Sequence, residues 1–382
     1  MVTFSRGSTR ALVGLVLFAL ALPGLATLAG IDREAASGEN RELASWPRLA
    51  LEREALRALP DGLTRYFEDH FAFRARLVRW QAALRLTWFG ISPSPDVFVG
   101  RDGWLFYAAD GAADDYAAAV PFSREDLEVW RQTLQHTDDW LRAQGARYLF
   151  VIAPDKHAVY PEYLPAGIRR VGNESRIDVL VRYLRDHSTV PVVDVRPALA
   201  EAKARERVYH RTDTHWNDRG AFAAYGALLA ALAHPGVEAR PREAFEPREV
   251  REPGMDLAGM LGLTDLMQED DLRLVARAPA AWRVVEPARP DPHGIEPRLV
   301  TEHRDRARPR AVVFRDSFGS ALIPFLSDHF SRAVYLWQYN MDPAIVLEER
   351  PAVVLQEWVG RRLTTLLPYD GVAALSEGRP QQ

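Results

Sequence analysis

The residues best suited to chemistry in this chain are Asp213 and His215, two positions apart, and Ser317, about a hundred residues later. Asp213 and His215 can share one face of an extended segment or meet across a turn, so the carboxylate can hold one imidazole nitrogen. The other nitrogen can then take a proton from Ser317. The pattern predicts a nucleophilic serine with a histidine base that Asp213 orients, and such sites are defined by geometry rather than chain order.

Other interpretations of these residues stay open at this point. Four side chains could instead ligate a divalent cation: His210, Asp213, His215 and Asp218. No His-x-x-x-His pattern is present, however, and a metal centre would leave Ser317 without a role. Residues 209–220 could also be a polar loop that caps the following helix. Ser317 itself could be a helix N-cap, where serine is common.

The elements around Ser317 favour an exposed position for it. The apolar run 311–314 predicts a buried strand that ends at the charged pair Arg315-Asp316. Residues 321–326 then predict a short helix. Ser317 is therefore expected on a strand-to-helix turn, where free backbone N–H groups face a bound molecule.

A second apolar strand, residues 148–153, leads into Asp155 and Lys156. Polar residues after the carboxyl end of a central strand occupy the place where open α/β sheets bind ligands, although a solvated loop has the same pattern. Five residues are candidate substrate contacts: Asp155, Lys156, His210, Trp216 and Arg315.

Strands and helices alternate along the chain, which predicts an α/β sandwich with a mostly parallel central sheet of about five strands. The remaining strands are expected near residues 190–195, 333–337 and 352–356. Residues 236–310 are rich in Pro, Arg and Glu and weakly periodic, so they predict an irregular insertion.

Helix signals are clear in two regions. Ser123 with Asp126 predicts a capping box, and Gly145 a helix stop. Residues 63–88 have helical spacing and a cluster of aromatic side chains, which predicts a helix face packed on the core.

Composition excludes several functions. The net charge is −4 with no basic run, which argues against nucleic-acid binding. Without cysteine, the chain has no disulfide, thiolate nucleophile or Cys-ligated metal. Lys156 and Lys203 are the only lysines, and the other basic residues are arginines.

The N-terminus predicts export. Arg6 and Arg10 precede the uncharged segment Ala11 to Ile31, which is about long enough to span a bilayer. The basic flank places the N-terminus in the cytoplasm and the remainder outside it. A membrane anchor is favoured over a cleaved signal peptide, although Thr27-Leu28-Ala29 is a weak cleavage signal. Nucleotides and acetyl-CoA are not expected in that compartment.

Several motifs in order resemble the alginate O-acetyltransferase family, the periplasmic AlgJ and AlgX proteins with an SGNH-hydrolase-like domain. They are Tyr209-x-x-x-Asp213-x-His215-Trp216-Asn217, Phe314-Arg315-Asp316-Ser317-Phe318-Gly319, Glu39-Asn40-Arg41, Asp102-Gly103-Trp104-Leu105-Phe106, Pro154-Asp155-Lys156 with Tyr160-Pro161, and Phe325 to Phe330. The resemblance covers most of residues 39–365. The short sequence beyond residue 365 leads us to expect the membrane-anchored AlgJ branch, because AlgX-like members carry a further carbohydrate-binding module.

The resemblance implies a flavodoxin-like SGNH domain whose motif order is circularly permuted, with Asp213, His215 and Ser317 as the catalytic residues. The backbone N–H groups of Ser317 and Gly319 are candidate oxyanion donors, and the second donor is unassigned. No cofactor and no metal are expected. The implied partners are a polysaccharide acceptor, a membrane-bound O-acyltransferase and other polymer-modification proteins.

Three functions follow from these expectations. The first is a periplasmic O-acetyltransferase, held at the inner membrane or released into the periplasm if the signal is cleaved. It would move acetyl through Ser317 to hydroxyls of alginate or a related exopolysaccharide. The second is an esterase or deacetylase with the same three residues, and the third is a non-catalytic polysaccharide-binding component of a secretion complex. The expected organisation is a signal anchor (1–31), a helical lead-in (32–95), an SGNH-like domain (96–370) and a tail (371–382).

Overall fold

The computed structural model describes residues 6–29, 44–47, 52–287 and 297–377. The chain divides into two compact units. The first comprises residues 1–93 with 259–263, and the second comprises 94–258 with 264–382. The helices of the first unit are α1 (Arg6–Leu28), α2 (Arg53–His70) and α3 (Arg74–Phe89).

Helix α1 contains the predicted anchor. Its window Thr9–Thr27 has a mean hydropathy of 1.9 and is the one candidate membrane span among the described residues. The helix continues through Pro23, and the end of the predicted segment, Ile31, lies outside the described residues.

The single helix predicted for residues 63–88 is wrong in one respect, because the chain breaks between α2 and α3. Phe73 has a φ of 67°, which ends the helical path. The prediction of a face packed on a core also fails. Helix α2, which is described in full, has no buried residue, and α3 buries only Ala82.

The second unit is an α/β domain. Its strands are β1 (Val97–Val99), β2 (Leu105–Tyr107), β3 (Arg147–Ala153), β4 (Val192–Asp194), β5 (Phe245–Pro253), β6 (Gln268–Ala276), β7 (Trp282–Glu286), β8 (Arg298–His303), β9 (Arg310–Arg315), β10 (Arg332–Trp337) and β11 (Val353–Val359). Its helices are α4 (Ala112–Ala117), α5 (Arg124–Ala143), α6 (Lys156–Val159), α7 (Arg176–His187), α8 (Arg196–Lys203), α9 (Asp218–Leu232), α10 (Asp256–Met260, whose last two residues group with the first unit), α11 (Ser317–Ser320), α12 (Ile323–Leu326), α13 (Pro343–Glu349) and α14 (Gly371–Ser376).

The central sheet corrects the sequence prediction in size and direction. The five expected strands are present and run parallel, in the order β4-β3-β11-β9-β10. Strands β8 and β7 then extend the sheet antiparallel, so it is a mixed sheet of seven strands within the described residues.

The segment 236–310 is correspondingly not irregular. It contributes β7 and β8 to the central sheet, and β5 and β6 form a separate antiparallel pair. In β5 most side chains are exposed on both faces, so the inside–outside alternation that reveals a half-buried strand is missing.

Alternating side chains of the parallel strands pack on both faces of the sheet. On one face Leu149 and Val151 join the buried side of α9, and on the other Phe150 and Ile152 join α5 and α7. The capping box of Ser123 and Asp126 opens α5 as predicted. The carboxyl ends of β3, β11 and β9 therefore meet at one edge, where an open α/β sheet places its ligand site.

Candidate active site

The three residues singled out from the sequence lie together at that edge. His215 Nε2 is 2.7 Å from Ser317 Oγ, and His215 Nδ1 is 2.6 Å from Asp213 Oδ1. Asp213 Oδ1 also accepts a hydrogen bond from the backbone N–H of His215 at 2.9 Å, so it fixes both the ring and its backbone. Asp213 is buried, whereas Ser317 and His215 are partly exposed. The arrangement has the connectivity that activates a serine hydroxyl.

Ser317 stands on the turn from β9 into α11, as predicted. The N-cap of α11 is Asp316, whose carboxylate accepts from the N–H of Phe318 at 2.8 Å. The alternative that Ser317 is itself the cap is therefore wrong, and its hydroxyl is available to His215. The other oxygen of Asp316 accepts from the N–H of Val359 at 2.9 Å, which ties the turn to the end of β11.

The loop that carries Asp213 and His215 folds around the ammonium group of Lys156. Lys156 Nζ donates to three backbone carbonyl oxygens of this loop, those of His210 (3.0 Å), Arg211 (3.1 Å) and Asp213 (2.6 Å). Its Nζ also lies 5.6 Å from the ring centroid of Trp104. Burial lowers the pKa of Lys156 to about 7, against the opposing charges of nearby carboxylates.

Two carboxylates from residues 236–310 hold the same loop from the other side. Glu269 accepts from the N–H and the hydroxyl of Thr212, at 2.8 Å and 2.7 Å. Asp256 accepts from the N–H and the hydroxyl of Thr214, at 2.8 Å and 2.7 Å. Asp256 Oδ2 also lies 3.9 Å from His215 Nδ1 and is a second negative charge beside the base.

Neighbouring charges shift the pKa values of His215 and Asp213. Burial disfavours the charged imidazolium, but the hydrogen bond and charge of Asp213, with the charge of Asp256, raise the pKa of His215 above its usual value. Burial likewise works against ionised Asp213, and the bond to His215 outweighs it, so the pKa of Asp213 is lowered. The imidazolium formed when Ser317 loses its proton is thus stabilised.

A set of buried ionisable side chains surrounds the end of β11 and the turn of Asp316. Arg361, just after β11, donates from its backbone N–H and its guanidinium to Asp155, at 2.7 Å and 2.6 Å. Glu357 Oε2 accepts from the N–H of Asp316 at 3.0 Å. Burial and the charge of Asp316 raise the pKa of Glu357 well above its usual value.

The structure gives the five candidate substrate contacts another role. All five are buried: Asp155, Lys156, His210, Trp216 and Arg315. Asp155 pairs with Arg361, and Lys156 fills the loop. His210 Nδ1 lies 2.9 Å from Asp271 Oδ2. These groups position the site, and burial keeps them from a dissolved polymer.

Trp216 and Arg315 act in the same way. Trp216 Nε1 donates to the carbonyl oxygen of Phe318 at 3.1 Å, which joins the loop of His215 to the turn of Ser317. Arg315 donates to the carbonyl oxygen of Asp316 and to Ser320 Oγ, at 3.1 Å and 2.7 Å. Sequence position after a strand indicated the right edge of the sheet but could not say which side chains point inward.

The proposed metal set is not brought together. Asp218 instead accepts from the N–H of Leu274 at 2.9 Å, and His210 pairs with Asp271. Among the described residues, the one group of three that could hold a cation is Asp213, His215 and Asp256. Both ring nitrogens of His215 already have protein partners there. The other alternative was that residues 209–220 cap the following helix. Asn217 does so, because its side chain accepts hydrogen bonds from the N–H groups of Arg219 and Gly220 at the start of α9.

Sequence reasoning missed Asp256, Glu269, Glu357 and Arg361 as parts of the site. The first two lie in the segment predicted to be irregular, and the others lie in or after an apolar strand. An acidic residue inside the apolar run of β11 was the available signal for Glu357, because buried carboxyls need a specific partner.

A parallel-stranded core with Ser317, His215 and Asp213 at its carboxyl edge defines an α/β domain with a candidate nucleophilic serine. Residues 97–291, just over half of the chain, match the family model described as the SGNH hydrolase-like domain of the acetyltransferase AlgX. The chain belongs to this family, and the resemblance read from its motifs is confirmed. The match includes Asp213 and His215 and ends before Ser317.

Two curated relatives are both described as probable alginate O-acetylase AlgJ. The Pseudomonas putida protein is 31% identical over 155 residues, 40% of this chain and 37% of the relative. The Pseudomonas aeruginosa protein is 27% identical over 210 residues, 53% of this chain and 50% of the relative. These alignments span half or less of each relative's length. In fold, the chain is similar to Bacillus cereus PatB1, with a TM-score of 0.52 and 15% identity over 71% of this chain and 98% of that one.

Proposed function

We propose that this protein is an extracytoplasmic O-acetyltransferase that carries acetyl on Ser317 and transfers it to hydroxyl groups of an exopolysaccharide, alginate or a related polymer. The observation that carries the proposal is the 2.7 Å contact between His215 Nε2 and Ser317 Oγ, with Asp213 behind the ring. Family membership and the AlgJ relatives support acetyl as the transferred group.

In the first half-reaction, Ser317 Oγ attacks the carbonyl carbon of an acetyl donor as His215 Nε2 takes its proton. The tetrahedral intermediate collapses, the bond to the donor's leaving oxygen breaks, and His215 returns the proton to that oxygen. Asp213 holds the Nδ1 proton throughout, so Nε2 faces the serine as a base. The product is acetyl-Ser317 and free donor alcohol.

The second half-reaction repeats these steps with the acceptor. A sugar hydroxyl gives its proton to His215 and attacks the acetyl carbon, and Ser317 leaves with the proton from His215. In both halves, the backbone N–H groups of Ser317 and Gly319 are the proposed oxyanion donors. The N–H of Phe318, between them, is engaged by Asp316. Loss of one such donor typically costs about 10²–10³ in rate.

The proposed setting is the periplasmic face of the inner membrane, with α1 as the anchor. Because acetyl-CoA is absent there, a membrane-bound O-acyltransferase is the proposed source of acetyl groups. In this proposal, the membrane-bound O-acyltransferase and the other polymer-modification proteins form one complex with this protein, and that complex receives the polysaccharide acceptor. The expected separation of a membrane segment, a helical lead-in and a catalytic domain is part of this proposal.

The test uses purified full-length protein, an acetyl ester donor and oligomannuronate as the acceptor. Wild-type protein should give acetylated oligosaccharide in mass spectra and a trapped acetyl group on Ser317, and Ser317→Ala should give neither. Ser376→Ala is the matched control, because this exposed hydroxyl bonds only to a carbonyl of its own helix, Val372.

The same assay separates the rival functions. Free acetate with and without oligosaccharide, and no acetylated sugar, would identify an esterase. If the acetyl donor stayed unreacted with both wild-type and Ser317→Ala protein, the result would favour the non-catalytic polysaccharide-binding role. The distance of 2.7 Å between His215 Nε2 and Ser317 Oγ argues against that role, because a binding protein does not need a serine and a histidine within hydrogen-bond reach of each other.

A further inference from the structure

Helix α3 carries an exposed apolar stripe. Leu77, Trp80, Leu84 and Trp88 recur at intervals of three and four residues, so they share one face of the helix. All four are exposed, and the two tryptophans are 78% and 79% accessible. Exposed tryptophans in an ordered row are costly in water, and such a surface normally serves an interaction.

Arginines flank this stripe. Helix α3 contains four arginines and no acidic residue. At about 100° per residue, Arg74 and Arg85 fall on one side of the stripe and Arg76 on the other. Exposed tryptophan and leucine side chains next to arginines are found on helices that lie in the interface of a membrane.

Within the first unit, α3 starts beside the end of α1. The backbone N–H of Ala72, two residues before α3, donates to Thr27 Oγ1 at 2.8 Å. Thr27 is the last residue of the apolar window of α1. Where α1 crosses the bilayer with its basic N-terminal flank in the cytoplasm, Thr27 reaches the outer surface. The start of α3 is thus held at the level of the lipid headgroups.

We propose that α3 is an interfacial membrane helix whose stripe Leu77-Trp80-Leu84-Trp88 lies on the outer leaflet of an anionic bilayer, beside the anchor α1. A lipid surface fits both the exposed apolar stripe of α3 and the position of α3 beside the end of α1. The aromatic rings suit the boundary between headgroups and acyl chains, and Arg85 at the edge of the stripe suits a lipid phosphate. The protein would then be held at the membrane by two helices, α1 and α3, rather than by α1 alone.

The experiment exploits the absence of cysteine from the chain. Leu84→Cys and, as the control, Val171→Cys each introduce a single thiol for an environment-sensitive fluorophore in the full-length protein. Val171 is an exposed apolar residue of the second unit, so it matches Leu84 in chemistry. Both proteins are reconstituted into vesicles of phosphatidylcholine alone or mixed with phosphatidylglycerol. Quenching is measured with aqueous iodide and with nitroxide-bearing lipid.

The label at residue 84 should be quenched by nitroxide lipid, and its quenching by iodide should be several-fold weaker than that of the label at residue 171. The difference should grow with phosphatidylglycerol. Equal iodide access at both positions would overturn the proposal. Shielding of residue 84 from both quenchers would overturn it too, because a protein would then cover the stripe. Failure to float with the vesicles counts equally against it.

A second variant gives an independent readout. Trp80→Glu adds a charge to the stripe at a residue exposed enough for the fold to tolerate it. In this background, a label placed by Trp88→Cys should be quenched by iodide more strongly than the same label in protein that keeps Trp80. Unaltered shielding at residue 88 would contradict the proposal. Neither variant alters Asp213, His215 or Ser317, so these results do not depend on the proposed acetyltransferase activity.

Discussion

Replacing Lys156 with methionine tests how the loop of Asp213 and His215 is held. Methionine is similar in length and apolar, so it occupies the buried space without the ammonium group. Three carbonyl oxygens, those of His210, Arg211 and Asp213, then lose their donor. His215, the proposed base, is attached to this loop, so the substitution should act on the proposed reaction without touching a reacting atom.

Two free-energy contributions to stability oppose each other in this variant. Loss of the donor leaves buried carbonyls unsatisfied, at roughly 1–3 kcal/mol each, or about 3–6 kcal/mol after partial relaxation. Burial lowers the pKa of Lys156 to about 7, so keeping the ammonium inside the protein has a cost that methionine removes. This gain offsets part of the loss. We therefore expect Tm to change by only a few degrees, while displacement of the loop lowers kcat/KM by about 10²-fold.

The assay pairs thermal unfolding with the rate of acetyl release from an ester donor. Lys203→Met is the matched control, because Lys203, the other lysine of the chain, is partly exposed and bonds Val159 O and Glu162 away from the loop. It should leave kcat/KM almost unchanged. Normal activity in Lys156→Met would refute the positioning role, and a large loss of Tm with normal kcat per folded molecule would show that Lys156 is only structural.

The other predictions concern the base and the nucleophile turn. Because His215 must be unprotonated to accept the serine proton and its pKa is raised, kcat/KM should rise with pH through a value above 6.5. Asp256→Asn removes a carboxylate that raises this pKa, so the rising limb should move to lower pH; an unmoved limb would contradict the assignment. Gly319→Ala should lower both Tm and activity, since its Cβ would lie 2.6 Å from Arg315 Cβ. The control Gly226→Ala, with no heavy atom within 4 Å of the new Cβ, should be stabilised by about 0.5–1 kcal/mol.

The parallel core and the three residues of the candidate site could be predicted from the sequence because both leave local signals. Continuous apolar runs mark strands that are buried on two faces, and the capping box of Ser123 and Asp126 marks a helix start. The pair Asp213 and His215 is close in the chain, so its geometry is nearly local. Ser317 is about a hundred residues from this pair in the chain. Its place near the pair could still be expected, because parallel strands end at a common edge of the sheet.

The rest depended on tertiary contacts that no local pattern records. Strands β5 and β6 pair mainly with each other, so burial does not impose an alternating pattern on β5. Lys156 and Asp155 were expected to face a substrate because they follow β3. Which way they point is decided by the loop at His210–Asp213 and by Arg361, which are distant in sequence.

Strand β11 comes last of the seven central strands along the chain, yet it lies between β3 and β9. Strands β3 and β9 are held together only once β11 pairs with both of them. The hydrogen bond from the N–H of Val359, at the end of β11, to Asp316 also cannot form before then. Contacts this distant in sequence form late in folding. In the proposed setting, α1 stays in the membrane and the residues after it cross in chain order. Ser317 then has no assembled site until β11 has crossed, so the proposed acyl chemistry begins only after that step.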